Sequence, residues 1–234
     1  MRKIWSSRMV LVFDLDDTLY DELSFVRSGF NVVADHLAEN YALPEERLFS
    51  FMLFRLKIKR QHIFNETLKE FGIYSKRNVQ KCVSIYRSHV PDIHLYPEAD
   101  KCLKNLKNAH KYIVTDGNKL VQQKKLDALR LNSRFNFCYL THRYGLKSSK
   151  PSPDCFFKIC KRENVEPRHV IYIADNPNKD FVGIKPHGFK TLRVTSGQFS
   201  GLVMAKEFEA DYQIRSLNDL RLPLLEKIFN NGRS

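Results

Sequence analysis

The sequence predicts an α/β fold: a Rossmann-like parallel sheet with helices on both faces, interrupted by an inserted α-helical domain. Two observations carry that expectation. From Tyr112 onward, short runs rich in β-branched and aromatic residues alternate with helix-length stretches, the pattern of a parallel sheet in an α/β protein. One further run of this kind, Val10–Phe13, stands alone near the start, and between it and the rest lies a stretch with helical periodicity and no strong strand candidate. Residues 1–20 and 91–234 are therefore expected to form the core, and 21–90 the helical insertion. At 234 residues the chain has room for one domain carrying such an insertion.

The first strand is Val-Leu-Val-Phe, an apolar run bounded by polar residues and hence buried. In the insertion, Phe25, Phe30, Val33 and Leu37, then Phe49, Leu53 and Leu56, then Val79, Val83 and Tyr86 recur at helical spacing, which predicts about four helices. Pro44 followed by Glu45 and Glu46 fits the first turn of one of them, and Gly72 a helix end. Pro97-Glu98-Ala99 opens a helix to about Asn108. Strands are expected at Tyr112–Thr115, Phe137–Leu140, Val170–Ala174 and Thr191–Val194, with a short last one at Tyr212–Ile214. Helices are expected at Leu120–Leu129, Pro153–Asn164 and Asp180–His187, and from Leu217 to about Phe229. The tail Asn230–Ser234 is expected to fray.

A formal net charge of +13 favours anionic partners, whether phosphorylated small molecules, nucleic acid or an acidic surface. There is no tight basic block, zinc-finger spacing or RNA-binding aromatic signature, so dispersed lysines read as a solvated surface and no specific nucleic acid is expected. The five cysteines, Cys82, Cys102, Cys138, Cys155 and Cys160, are odd in number and form no CxxC pair, which argues for reduced thiols rather than a disulfide framework. The start MRKIWSSR is basic, but Asp14 breaks the apolar run behind it. That run is too short for a signal-peptide core or a membrane span. Cytoplasmic localisation and no membrane partner are the expectations that follow.

The chemistry is concentrated at strand ends, where open parallel sheets place their sites. Val10–Tyr20 puts Asp14, Asp16 and Asp17 directly after a buried strand. Carboxylates gathered there repel one another unless something offsets their charge, and a divalent cation does so. An acidic turn fits this stretch equally well. Thr115-Asp116-Gly117-Asn118 offers a hydroxyl and a glycine turn entering a helix, an arrangement that can present N–H groups to an anion, or an ordinary turn. Lys150 precedes the next helix and by itself reads as a surface lysine. Asp175 and Asp180 follow Val170–Ala174 as a second acidic strand end. Together these outline a Mg2+-and-phosphate site, with carboxylates for a hard cation and a hydroxyl, N–H groups and an ammonium for phosphoryl oxygens.

In order, DLDDT, TDGN, KPSPDCF and ADNPNKD resemble the four motifs of the haloacid dehalogenase superfamily, and more narrowly its phosphatase branch with a helical cap between the first two motifs. The resemblance spans the chain, since the helical insertion falls where that branch carries its cap. It implies a Mg2+-dependent phosphatase of a small phosphomonoester, a sugar phosphate or nucleotide. It implies Asp14 as the nucleophile that becomes an aspartyl-phosphate and Asp16 as general acid and base. Thr18 would support the turn, leaving Asp17 as a turn residue facing away. Thr115, the Asp116-Gly117 turn and Lys150 would bind the phosphoryl group, with Lys150 also offsetting charge on Asp14. The metal would be held by Asp14, by Asp16 through its main-chain carbonyl, and by Asp175, with Asp180 partnering a metal-bound water or Lys150. Ala174 stands where the family commonly has glycine, which removes no catalytic group. The presence of Asp16 disfavours dehalogenation, and no cap lysine is marked as a Schiff base, although Lys57 and Lys59 lie in the cap.

Arg55, Lys57, Lys59, Arg60 and His62 form a basic run in the insertion. Either one or two of them, Arg60 foremost, read an anionic or polyol leaving group, or the run is a solvated helix face with one capping histidine. His36 and His89 read as surface or packing residues. Two alternatives to the phosphatase stay open on the sequence: a phosphomutase of the same superfamily, which would return the phosphoryl group to substrate, and a non-catalytic protein binding anions or nucleic acid. Oligomeric state is not legible.

Overall fold

The computed structural model describes residues 9–230. The basic start MRKIWSSR and all but Asn230 of the tail expected to fray lie outside the described residues. The chain divides into two compact units: Glu22–Ile93, and the segments on either side of it.

The flanking segments build a six-stranded sheet, all parallel, in the order β3-β2-β1-β4-β5-β6. The strands are β1 (Val10–Phe13), β2 (His110–Thr115), β3 (Phe137–Leu140), β4 (Val170–Ala174), β5 (Lys190–Val194) and β6 (Tyr212–Ile214). This is the doubly wound order, in which the chain steps outward in one direction from β1 and then in the other from β4, leaving a crevice beyond the carboxyl ends of the central strands. β1 and β4 are buried along their whole length, as fits central strands covered on both faces. Register brings Phe13 level with Ile113 of β2 and Ile173 of β4, so β1, β2 and β4 end within two residues of one another on the same edge of the sheet. The helices of this unit are α5 (Pro97–Asn105), α6 (Lys119–Ala128), α7 (Asp154–Glu163) and α8 (Leu222–Asn230).

Two expectations fail here. Asp180–His187 is not an α-helix: the segment is turns ending in a single 3-10 turn at Lys185–His187. Gly183 and Pro186 weaken helix there, and the Asp180 carboxylate instead accepts from the Asn176 N–H. The helix expected from Leu217 divides into a 3-10 turn at Leu217–Asp219, closed by a Ser216–Asp219 capping box, and α8. Pro223 lacks an N–H to continue a helix and sits in the first turn of α8, where none is needed.

The unit Glu22–Ile93 consists of four helices, α1 (Glu22–Tyr41), α2 (Glu45–Ile58), α3 (Ile63–Glu70) and α4 (Lys76–Ser88). α1 buries Phe25, Val26, Gly29, Phe30, Val33, Ala34 and Leu37 along one stripe. Leu48 and Met52 from α2, Ile63 and Leu68 from α3 and Cys82 from α4 complete this core. On α2 and α4 the buried positions lie one residue from those expected, because the fully covered residues are Leu48, Met52 and Cys82 while Phe49, Leu53, Val79 and Tyr86 pack partly buried beside them. Pro44 precedes α2 as its N-cap, and Gly72, with φ +68°, follows α3.

Candidate active site

The sheet carries Asp14 to its carboxyl edge. The Asp14 N–H donates to Ile173 O at 2.9 Å, extending the β1–β4 ladder by one residue and fixing the carboxylate, which is 3 % exposed. Leu15 is buried in the core, and at Asp17 the chain turns through φ +54°, a conformation Asp tolerates better than most residues. The Leu19 N–H closes this turn on Leu15 O at 3.0 Å. Thr18 is thereby swung back so that its hydroxyl donates to Asp175 Oδ1 at 3.2 Å. Asp17 is the turn residue expected there, and it is buried. Its charge acts on Asp175.

Lys150 is the hub. Its ammonium has three protons and three partners: Asp14 Oδ1 at 2.9 Å, Asp180 Oδ1 at 2.7 Å and the Tyr172 hydroxyl at 2.9 Å. Tyr172 in turn donates to Asp180 Oδ1 at 3.1 Å. The side chain of Lys150 is 1 % exposed, so a residue that alone reads as a surface lysine is among the most enclosed charges of the protein. Burial works against its charge, but Asp14 and Asp180 outweigh that and raise its pKa well above the ordinary value. Its loop is held by Asp116, whose Oδ1 accepts from the Lys150 N–H at 3.1 Å and from the Thr141 hydroxyl at 2.7 Å. On the other side Gly183 is required: a Cβ there would lie 1.6 Å from Pro151 O.

One carboxylate oxygen in this cluster is left over. Asp175 Oδ2 is buried and has no hydrogen-bond partner. Burial, with the negative charges of Asp14, Asp180 and Asp17, pushes Asp175 up to about 8. Burial likewise raises Asp14 to about 6, although Lys150 pulls the other way. Asp14, Asp175 and Asp180 each place an oxygen within 4.8 Å of the others. Hard oxygen donors, an excess of negative charge over one ammonium and an orphaned buried carboxylate oxygen fit a divalent cation such as Mg2+.

Asp16 is turned elsewhere. Its Oδ1 accepts from the Tyr20 hydroxyl at 2.6 Å and from Lys125 Nζ at 2.7 Å, and its Oδ2 from Gln122 Nε2 at 2.9 Å. Burial disfavours its charge, but the Lys125 ammonium and these hydrogen bonds prevail and hold the carboxyl below its usual range. The third carboxylate of the acidic cluster is therefore Asp180, and the Asp16 side chain is not part of it; any metal contact from Asp16 falls to its main-chain carbonyl. Gln122 and Lys125 of α6, with Tyr20, hold the Asp16 carboxylate there.

Thr115 ends β2 and is 1 % exposed, with Oγ1 accepting from the same Gln122 amide at 2.6 Å. Gly117 follows at φ +132°, and a Cβ there would meet the Gln122 side chain at 3.2 Å. Asn118 caps α6, accepting from Leu120 N at 3.0 Å. The structure thus brings Asp14, Thr115, Lys150, Asp175 and Asp180 to one edge of the sheet, with Asp16 joined to Thr115 through Gln122. Tyr20, Gln122, Lys125 and Tyr172 were not singled out in the sequence. Gln122 and Lys125 left a signal, being polar residues three apart in a helix that opens on a motif turn, where a buried face calls for apolar ones.

Arg60 belongs to the helical unit, where its guanidinium donates to Glu22 Oε2 at 2.7 Å. His62 is the N-cap residue of α3 but makes no side-chain capping bond. Both line a cavity of about 450 Å3 within that unit, together with Phe30, Phe64, Tyr86 and Arg87.

A buried carboxylate beside a buried ammonium and an acidic cluster that fits a divalent cation can attack phosphorus and have the resulting charge neutralised. Comparison with known proteins points the same way. The model of haloacid dehalogenase-like hydrolases matches residues 11–194. The glyceraldehyde 3-phosphate phosphatase of Pyrococcus furiosus is 29 % identical over 93 % of this chain and 93 % of its own. The N-acylneuraminate-9-phosphatase of Rattus norvegicus is 23 % identical over 91 % of each chain. Among solved structures, a HAD phosphatase from Thermococcus onnurineus superposes with a TM-score of 0.60 at 24 % identity, covering 92 % of this chain and 97 % of that one.

Proposed function

The chain belongs to the haloacid dehalogenase-like hydrolase family, and on that premise we propose that it is a Mg2+-dependent phosphatase that hydrolyses a small phosphomonoester through an aspartyl-phosphate on Asp14. The observation that carries this reading is the Lys150 ammonium seated between Asp14 and Asp180 beside the unpartnered oxygen of Asp175. That arrangement keeps Asp14 an available anion while leaving a place for a cation.

Asp14 attacks phosphorus in line with the leaving oxygen, forming the acyl-phosphate bond as the ester P–O bond breaks. Asp16 gives its proton to that leaving oxygen. The negative phosphoryl group beside it opposes the donors that favour its ionised form. In the second half, Asp16 takes a proton from water as the water attacks phosphorus. The acyl-phosphate P–O bond then breaks, restoring the Asp14 carboxylate and releasing phosphate. Thr115, the Asp116-Gly117 turn and Lys150 hold phosphoryl oxygens. Mg2+, held by Asp14 and Asp175 with Asp180 shared with Lys150, would neutralise charge on the phosphoryl oxygens.

The named activities of the curated relatives favour a phosphorylated sugar or related small metabolite over a nucleotide. Arg60 of the helical unit would serve leaving-group choice. Five free cysteines fit a reducing compartment, the cytoplasm. Among the described residues no helix is long and apolar enough to cross a membrane.

A phosphate-release screen over phosphorylated metabolites, with Mg2+ and with chelator, tests this reading. Release from at least one monoester, lost in chelator and restored by Mg2+, is expected. Activity indifferent to the chelator would overturn the metal assignment, and a requirement for a bisphosphate activator with no phosphate release would replace hydrolysis by mutase chemistry.

A further inference from the structure

The bond pattern at Asp16 is asymmetric. Oδ1 is occupied twice, by Tyr20 and Lys125, whereas Oδ2 takes one bond, from the amide of Gln122. The same Nε2 reaches Thr115 Oγ1 at 2.6 Å. An amide nitrogen carries two protons, so one group ties Asp16, at the end of β1, to the hydroxyl at the end of β2. Gln122 is 2 % exposed, and Gly117 leaves its side chain the space to lie there. Lys125, one turn further along α6 and 3 % exposed, completes the grip.

We propose that Gln122 is a positioning residue of the phosphatase site, orienting Asp16 with Lys125 so that Oδ2 is the oxygen that exchanges the proton with the leaving group and with water. This rests on the reading of Asp16 as acid and base given above. With Oδ1 saturated, Oδ2 retains acceptor capacity, and its neighbour through Gln122 is a group placed to bind phosphoryl oxygen. Two partners joined by one rigid amide fix both the distance and the plane of the carboxylate, which is what proton transfer in a transition state demands. Without the amide, Asp16 can rotate about its Oδ1 contacts, and Thr115 loses its fixed partner.

The test is transient kinetics of the full chain with Mg2+ on two esters, p-nitrophenyl phosphate, whose leaving group needs little protonation, and an alkyl phosphate, whose leaving group needs a proton. Gln122→Met keeps side-chain length and removes both hydrogen bonds. Expected for this variant is a nitrophenol burst approaching about one equivalent, followed by steady turnover slowed roughly 10- to 100-fold, since the first step proceeds unaided and the water step does not. On the alkyl ester the burst disappears and kcat falls at least as far, with KM changed less than kcat. Lys125→Met should show the same division between the two esters, and Lys125→Arg, which keeps a cation on Oδ1, should lose less. These lysine variants carry the test if Gln122→Met does not fold. Equal losses on both esters, with burst amplitude falling in step, would show a structural role only and overturn the inference. Asp16→Asn separates this from the underlying reading: if it too fails to distinguish the esters, the acid–base assignment of Asp16 is wrong. If it distinguishes them and Gln122→Met does not, only the inference falls.

Discussion

Lys150 Nζ lies 2.9 Å from Asp14 Oδ1, and both side chains are buried. Replacing Lys150 by Met removes the positive charge and leaves the Asp14 and Asp180 carboxylates facing each other. Breaking a buried pair in this way costs about 3–5 kcal/mol, and loss of a phosphoryl-binding cation lowers kcat by about 10²- to 10³-fold. Denaturant unfolding and steady-state kinetics measure the two effects separately. A variant with wild-type kcat would remove Lys150 from the mechanism.

Asp14→Asn keeps the size of the side chain and removes the nucleophile. Turnover should fall at least about 10³-fold while the circular dichroism spectrum is unchanged. Phosphate on the protein that survives an acid quench and is released by hydroxylamine reports the acyl-phosphate, present in wild type and missing in the variant.

Asp175 gives a pH-dependent stability. In the absence of metal its folded-state pKa, about 8, lies above its ordinary value of 3.8. Between these values the unfolded chain has released a proton that the folded chain still holds, so stability falls as pH rises through the window and levels off above about 8. Asp175→Asn lacks this term. In chelator the Tm of the variant should gain on wild type between pH 5 and pH 8, and Mg2+ added at pH 8 should raise the Tm of wild type and not of the variant. A Tm difference independent of pH would contradict the charge crowding described at this carboxylate.

Gly183→Ala tests the support of the Lys150 loop. The added Cβ would meet Pro151 O at 1.6 Å, so one of the two backbones must move. A loss of about 1–3 kcal/mol is expected from the overpacking, with kcat lowered because Pro151 adjoins Lys150. Unchanged stability would mean that the two segments part without resistance.

Much of the core was legible because its strands are short, apolar and bounded by turn residues, and because a parallel sheet delivers strand ends to one edge. Asp14, Thr115 and Asp175 follow from that rule alone. Lys150 does not, since nothing in its neighbours announces that a loop lysine will be enclosed by Asp14, Asp180 and Tyr172. The burial of Asp17 is not legible, because a positive-φ turn carries no pattern that says which turn residues are enclosed. Gln122 and Lys125 are not legible in the same way, because helical periodicity marks apolar positions, while the buried face of α6 carries these two polar residues against Asp16. The segment Asp180–His187 has the length of a helix, but Gly183 is set by contact with Pro151, a relationship between positions more than 30 residues apart.

The register of β1 has a consequence for how the molecule comes into being. Val10 pairs with His110 on one side and with Val170 on the other, so the strand that carries Asp14 leaves the ribosome long before either neighbour exists. The four helices of Glu22–Ile93 are local and can close early, whereas the sheet waits for pairings of long sequence separation, which are slow to form. Until β4 docks, Asp14 has no N–H partner at Ile173, Thr18 has no Asp175, and Lys150 lacks Tyr172. Activity during refolding should therefore return with the last cooperative phase, after most of the helical signal has recovered.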